Sequence, residues 1–336
     1  MKIGVISKEI PVYISDDAPN EHICITGMSG SGKSTRIAEI IESAVQEEKT
    51  VIALDLAGMD YKKMEKLNYI SAKTDGIGIE LFEGNDGPEV IEYITDVMTH
   101  ICNLKIRQVG AMRNAVQYAI ENKSQFSTEL DAIDKGLKLQ DSGVSESVRN
   151  HLWGLVNSHC IRPSSRTFKK NMVNVVTFAE LNSGTQKIAA ELVLSCMWKK
   201  IQRGKSENVM LIIDEFQNYI RKGSVLLEMM RESRKYGVSI VLATQTLEGI
   251  DSKANSAVKQ AAVQMFFRVN NADTKKVAEM IDSVNADHWK MRLRQLKVGE
   301  SVVTGMLNIG NREIDDPLVI RSEYKRKEDD SKLLIV

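Results

Sequence analysis

A loop at residues 27–35, GMSGSGKST, constrains this chain more than any other segment. It fits the spacing G-x-x-x-x-G-K-[ST], with Gly27, Gly32, Lys33 and Ser34 in the fixed places. The apolar run His22-Ile23-Cys24-Ile25-Thr26 precedes it and reads as a buried strand. Ile37, Ile40, Ile41 and Ala44 follow at helical spacing. A strand, a glycine-rich loop and a helix in that order turn consecutive backbone N–H groups inward around phosphate oxygens, at the positive end of the helix. Lys33 adds a mobile charge for the β- and γ-phosphates, and the Ser34 hydroxyl can ligate Mg²⁺. The expected nucleotide-binding residues are therefore Gly27, Met28, Ser29, Gly30, Ser31, Gly32, Lys33, Ser34 and Thr35.

The segments around the loop extend the pattern. A helix over 33–47 leads to Thr50-Val51-Ile52-Ala53-Leu54-Asp55, a continuous apolar strand ending in an acid. Strand, helix and strand at this spacing predict a β-α-β unit in a parallel sheet. Short strands are expected at 3–6 and 11–14, within an N-terminal β segment covering 1–20. From about 86 to 170 only helical periodicity appears, as in Val90, Ile94, Val97, Met98 and Ile101, apart from a short strand expected at 78–82 just before it. Strands are expected again at 173–178, 209–213, 239–245, 262–269 and 301–307, with a helix at about 224–236. The chain thus reads as one α/β domain over 21–321, interrupted by a helical insertion at about 86–170, with a charged tail over 322–336.

Composition limits the function classes. Of 336 residues, 45 are Lys or Arg and 45 are Asp or Glu, so the net charge is +0 and a globally basic nucleic-acid binder is excluded. A local basic surface, such as the lining of an oligomer's pore, is not. Cys24, Cys102, Cys160 and Cys196 form neither a C-x-x-C pair nor a zinc pattern, and are expected to be buried thiols. No stretch approaches the ~20 apolar residues of a membrane span, and the first residues do not read as a signal peptide. A cytoplasmic protein without membrane insertion is expected.

Six further residues are candidates for the chemistry. Met210-Leu211-Ile212-Ile213-Asp214-Glu215 is an apolar strand ending in two acids. Opposite a phosphate loop, Asp214 would hold the Mg²⁺ shell together with Ser34, and Glu215 would orient or deprotonate the attacking water. Gln245 stands at the tip of the strand 239–245, on the edge where open α/β sheets bind ligands, and can bridge the γ-phosphate and that water. Asp55 is on the same rim, either supporting Mg²⁺ or structural. Arg234, in Arg231-Glu232-Ser233-Arg234-Lys235-Tyr236-Gly237, is the first candidate for an arginine reaching a neighbouring subunit's site. Arg268, read as a charge within an apolar strand, is the second.

Together these motifs resemble the HerA/FtsK superfamily of RecA-like motor ATPases. The resemblance rests on GMSGSGKST, on VIALD at 51–55, on NVVTFAEL at 173–180, on LIIDEFQNYI at 211–220 and, most specifically, on RESRKYGVSIVLATQ at 231–245. It covers most of 20–321. It implies a RecA-like P-loop NTPase with a mostly parallel central sheet flanked by helices. Lys33 and Ser34 are then the Walker A residues, Asp214 and Glu215 the Walker B residues, and Gln245 the sensor, with ATP and Mg²⁺ as cofactors. It further implies a homo-oligomeric ring, hexameric in this group, with DNA in the channel. The compact build leads to the expectation of separately encoded partners such as a nuclease, in DNA processing or defence against foreign DNA. A conjugation or secretion ATPase shares every motif. A nucleotide-gated scaffold that activates an effector is the reading from a different class.

Overall fold

The computed structural model describes residues 1–56, 61, 64–82, 87–163, 165–204, 208–218, 224–247 and 258–323. In chain order it contains β1 (Lys2–Val5), β2 (Pro11–Ile14), β3 (Ile23–Thr26), α1 (Lys33–Gln46), β4 (Thr50–Asp55) and β5 (Leu67–Ser71). Four helices follow: α2 (Pro88–Cys102), α3 (Ile106–Asn122), α4 (Glu129–Leu139) and α5 (Gly143–Ser158). Next come β6 (Val173–Thr177), α6 (Ser183–Gln202), β7 (Val209–Ile213), α7 (Val225–Glu232), β8 (Val238–Thr244) and β9 (Val263–Phe266). The last elements are α8 (Asn271–Ile281), α9 (Ala286–Gln295), β10 (Glu300–Gly305), β11 (Leu307–Ile309), β12 (Arg312–Ile314) and β13 (Leu318–Arg321).

These strands form one sheet in the order β12-β11-β2-β1-β13-β10-β9-β3-β8-β7-β4-β6-β5. From β9 to β5 every pairing is parallel, as the β-α-β pattern requires. From β9 outward through β10 to β12 every pairing is antiparallel. Successive residues of a strand point to opposite faces. Ile52 and Leu54 of β4 therefore join the core under α2–α7, while Val51 and Ala53 join the core around α1. Ile3, Val12, Ile14 and Ile320 enter that second core, so the antiparallel half of the sheet curls over α1. A smaller core lies under α8 and α9, built from Leu247, Phe266, Val277, Ile281, Leu293 and Leu296.

Two sequence expectations need correction. The strand expected at 78–82 is absent, because the N–H groups of Leu81 and Phe82 donate to the Glu129 carboxylate at the start of α4 instead of to a ladder. Only Ile77 makes isolated bridges there, to Ile161 and Arg166. The helix at about 224–236 stops at Glu232 and tightens into a 3₁₀ turn over Ser233–Tyr236. The expected tail falls largely on 324–336, outside the described residues. All four cysteines are buried and free of disulfides.

One polar contact ties the lower ends of the parallel strands together. His22, just before β3, accepts the Ile240 N–H at Nδ1, 3.2 Å, so Nε2 carries the proton and donates to Ser233 Oγ at 3.0 Å. Burial pulls its pKa from 6.5 to about 4, so the ring is neutral in the fold. Between those values the unfolded chain binds a proton that the folded chain refuses. The contribution is complete above pH 6.5 and declines as pH falls toward 4. The full loss is about 3 kcal/mol. Urea denaturation at pH 7 and pH 4.5 should show this slope, and His22→Asn, which keeps an acceptor but cannot titrate, should flatten it. An unchanged slope in the variant would rule out His22 as the source.

Candidate active site

The glycine-rich loop is pinned on three sides before any ligand is considered. The Gly27 N–H donates to Thr244 O at 3.1 Å, the Met28 N–H to Arg268 O at 2.8 Å, and the Gly299 N–H to Ser31 O at 2.9 Å. Gly32 has φ +108°, and a Cβ there would stand 2.6 Å from the Gly299 nitrogen, so only glycine fits this turn. Helix α1 then starts at Lys33 with no side-chain cap and no acid in its first turn. Its leading N–H groups are thus left to an anion. Ser31 Oγ is buried without a hydrogen-bond partner among the described residues. Met28, Ser29 and Gly30 are exposed at the mouth, and Ser34 and Thr35 are half-buried behind them. A cradle closed to side chains, an uncapped helix and an orphaned hydroxyl together fit a polyphosphate.

Lys33 folds back on this cradle. Its Nζ donates to Gly27 O at 2.6 Å and Met28 O at 3.3 Å. Burial lowers its pKa, and the carboxylates of Asp214 and Glu215 push it back up. The parallel registers explain why these acids are close. Leu54 pairs with Ile213 and Ile213 with Leu242, so Asp55, Asp214 and Gln245 leave their strands on one edge, the edge where β3 delivers the loop. Asp214 is raised to about 6, first by burial and then by the Glu215 carboxylate, while the Glu215 N–H and Lys33 oppose the shift. A cation at Asp214 would relieve this. Mg²⁺ is commonly held by one or two carboxylates plus phosphate oxygens and water. A single carboxylate with the Ser34 hydroxyl is therefore a suitable protein share, and no group of three or more His, Cys, Asp or Glu side chains placed to hold a metal occurs among the described residues. Asp55 and Tyr61 are both buried beside Asp214, and burial together with the two acids pushes the Tyr61 hydroxyl well above its usual range.

Glu215 is held from two directions. Its backbone is left-handed, φ +51°, an uncommon conformation outside glycine. Gln245 donates through Nε2 to Oε1, and Gln217 donates through Nε2 to Oε2. The tip beyond Gln245 is itself latched. Thr246 Oγ1 donates to Asp273 Oδ2 at 2.8 Å, and Asp273 is seated by Asn270 at the start of α8. Sequence reasoning did not find Gln217, Tyr61 or Asp273. Gln217 is two residues past Glu215 in a turn, and Asp273 is remote in the chain, so neither falls in a recurring spacing.

The two candidate arginines are at opposite ends of the parallel strands. Arg268 lies beyond the end of β9, exposed, with its carbonyl on the loop; it is not a buried strand charge, because β9 ends at Phe266. Arg234 is exposed in the turn before β8, next to Ser233 and His22 at the strands' starting edge. The length of β8, about 20 Å at ~3.3 Å per residue, separates it from Gln245.

Residues 1–196 match the family model described as helicase HerA, central domain, and residues 208–288 match that described as the TraM recognition site of TraD and TraG. The chain is 24% identical to the DNA double-strand break repair helicase HerA of Sulfurisphaera tokodaii, over 91% of this chain and 66% of that protein. It therefore spans just under two thirds of that relative's length. VirB4 of Thermoanaerobacter pseudethanolicus has the same fold, with TM-score 0.73 at 13% identity, covering 96% of both chains. So does the bacterial conjugative coupling protein TrwB, with TM-score 0.70 at 15% identity, covering 97% of this chain and 95% of that one. TrwB has also been solved in complex with ADP and Mg²⁺. The fold is that of a RecA-like P-loop NTPase, with a parallel core carrying the loop and an antiparallel extension.

Proposed function

This chain belongs to the family of the helicase HerA central domain, and from that membership we propose that it is a ring-forming ATPase that drives DNA through a central channel. The observation that carries the proposal is the convergence of Lys33, Asp214, Glu215 and Gln245 on one sheet edge while Arg234 faces the opposite one. The loop amides 28–35 and Lys33 would hold the nucleotide phosphates, with Ser34 and Asp214 taking Mg²⁺. When bound, Mg²⁺ offsets the charge on the transferring phosphoryl group. Glu215 orients the attacking water and accepts its proton, and Gln245 reports the presence of the γ-phosphate. Arg234 cannot reach this site within its own chain, so it serves the site of a neighbouring copy, and the working unit is a homo-oligomer, by family resemblance a hexamer. Arg268, exposed beyond the end of β9, is the alternative candidate for the arginine finger.

No described helix is long and apolar enough to cross a membrane. The proposed motor works in the cytoplasm on DNA processing or defence, beside a separately encoded effector such as a nuclease. The match of 208–288 to a segment of TraD and TraG favours a second reading, a conjugation-type ATPase handling a nucleoprotein. Native mass measurement and electron microscopy of the purified chain, with and without an ATP analogue and duplex DNA, test the assembly. ATPase assays at stated low salt test the substrate, since phosphate contacts are screened as salt rises. DNA should raise the rate and be retained by the ring. A rate indifferent to DNA, together with no retention, would sink the translocase and leave the second reading.

A further inference from the structure

We propose that Gln217 is a positioning residue for hydrolysis, holding one oxygen of Glu215 fixed so that the other is the oxygen that turns to the attacking water. The inference rests on Glu215 being the acid that handles that water. Both carboxylate oxygens are taken, but by unlike partners. Gln245, on Oε1, is exposed at a strand tip facing the loop, and is therefore free to change partners when a γ-phosphate arrives. Gln217, on Oε2, is half-buried in the 3₁₀ turn Phe216–Asn218 directly after the acid pair, and the turn is anchored by fully buried Phe216. Its amide has one purpose visible among the described residues: Nε2 donates to Glu215, while its own Oε1 is buried without a partner. A side chain placed for the turn's own sake would satisfy both ends of its amide, and buried polar groups are rarely left otherwise. The left-handed backbone of Glu215 points the same way, since it brings Glu215 within reach of a residue only two positions on.

The division of labour follows from exposure. With Oε2 fixed, the carboxylate keeps its orientation when Gln245 leaves, and Oε1 is presented to the rim without a search through rotamers. Without Gln217 the acid can rotate, and a displacement on the order of 1 Å at a reacting group costs up to about a hundredfold in rate.

The test uses the full chain. Gln217→Met keeps the length of the side chain and removes the donor; Gln217→Glu keeps the shape and replaces the donor with a repelling oxygen. Both should lower kcat about ten- to a hundredfold, leave the dissociation constant of a non-hydrolysable ATP analogue unchanged, and leave Tm unchanged. In the Glu215→Gln background, Gln217→Met should have no further effect on kcat, because it acts through Glu215. A kcat equal to that of the native chain in both variants, or an equal loss with and without Glu215, overturns the inference alone. A Glu215→Gln chain with native kcat overturns it together with the reading it rests on.

Discussion

Glu215→Gln should bind ATP as the native chain does and hydrolyse it about 10²- to 10⁴-fold more slowly. The substitution preserves volume and leaves Lys33, Ser31 and the α1 N-terminus untouched, so the groups that contact phosphates are unchanged. Two things are lost. The side chain can no longer accept a proton from water. It also can no longer accept from both amides, because an amide offers one oxygen where the carboxylate offered two, and either Gln217 or Gln245 must then face an NH₂ group. The sensor contact between β7 and β8 is weakened in the same step. Single-turnover hydrolysis and binding of a fluorescent ATP analogue separate the two effects. The variant also divides the function classes: a translocating motor stalls with ATP bound, whereas a scaffold assembled by ATP stays active. Hydrolysis at the native rate would remove Glu215 from the chemistry and with it the motor reading.

Arg36→Ala should unfold the chain about 3–5 kcal/mol more readily although Arg36 touches no nucleotide. The guanidinium is fully buried one turn into α1. It donates to Ile3 O and, at 3.4 Å, to Gly299 O, and it pairs with Glu39 at 3.2 Å. Glu39 in turn accepts from Ser322 Oγ at 2.9 Å. Four separated parts of the chain, β1, α1, the 299 turn and the end of β13, therefore meet on one ion pair. The approach is possible because Gly4 has no side chain; a Cβ there would overlap Arg36 Nη1. Burial lowers the Arg36 pKa to about 10, with Glu39 opposing the shift, so the group remains charged at neutral pH. Truncation leaves Glu39 buried without its cation, and that uncompensated charge is the main cost. The melting temperature should fall by on the order of 10 °C, and Arg36→Met/Glu39→Leu should recover part of the loss, since neither charge is then stranded. Nucleotide affinity should also weaken, because Gly299 backs directly onto Ser31 and Gly32. A melting temperature within about 2 °C of native would contradict this account.

Much of the site is legible in the amino-acid sequence, for an identifiable reason. Lys33, Ser34, Asp214, Glu215 and Gln245 each sit beyond the end of a strand buried on both faces, and such strands are written as continuous apolar runs. A reader who finds the runs finds the residues at their tips. The strands that escaped notice, β5, β11, β12 and β13, lie at or near a sheet edge or in the antiparallel half; β5, β11 and β13 are buried only in part and β12 not at all, so their apolar runs are short or broken. The apparent strand at 78–82 failed for the converse reason. Its apolar residues are buried, but its N–H groups are satisfied by Glu129, forty-seven positions away from Phe82.

By itself, then, the amino-acid order determined the strands of the parallel core except its edge strand β5, where the phosphate loop lies, and which acids and amide stand at the tips of the apolar strands. Those are local properties, set by glycine at a forced φ, by apolar periodicity and by the polar residues at the tips of apolar strands. Tertiary structure alone decided how these groups act on one another. Strand register brought Asp55 and Asp214 side by side, and burial, with Glu215 and then Asp55 beside it, raised the Asp214 pKa. Folding placed Gln217 and Gln245 on the two oxygens of Glu215, and latched the Gln245 tip to Asp273 on another helix. The sheet's direction put Arg234 a full strand length from the loop of its own chain, which no spacing in the sequence could reveal. Distances between groups far apart in the chain depend on strand order and packing, and those are decided by the balance of many contacts at once rather than by any residue's neighbours.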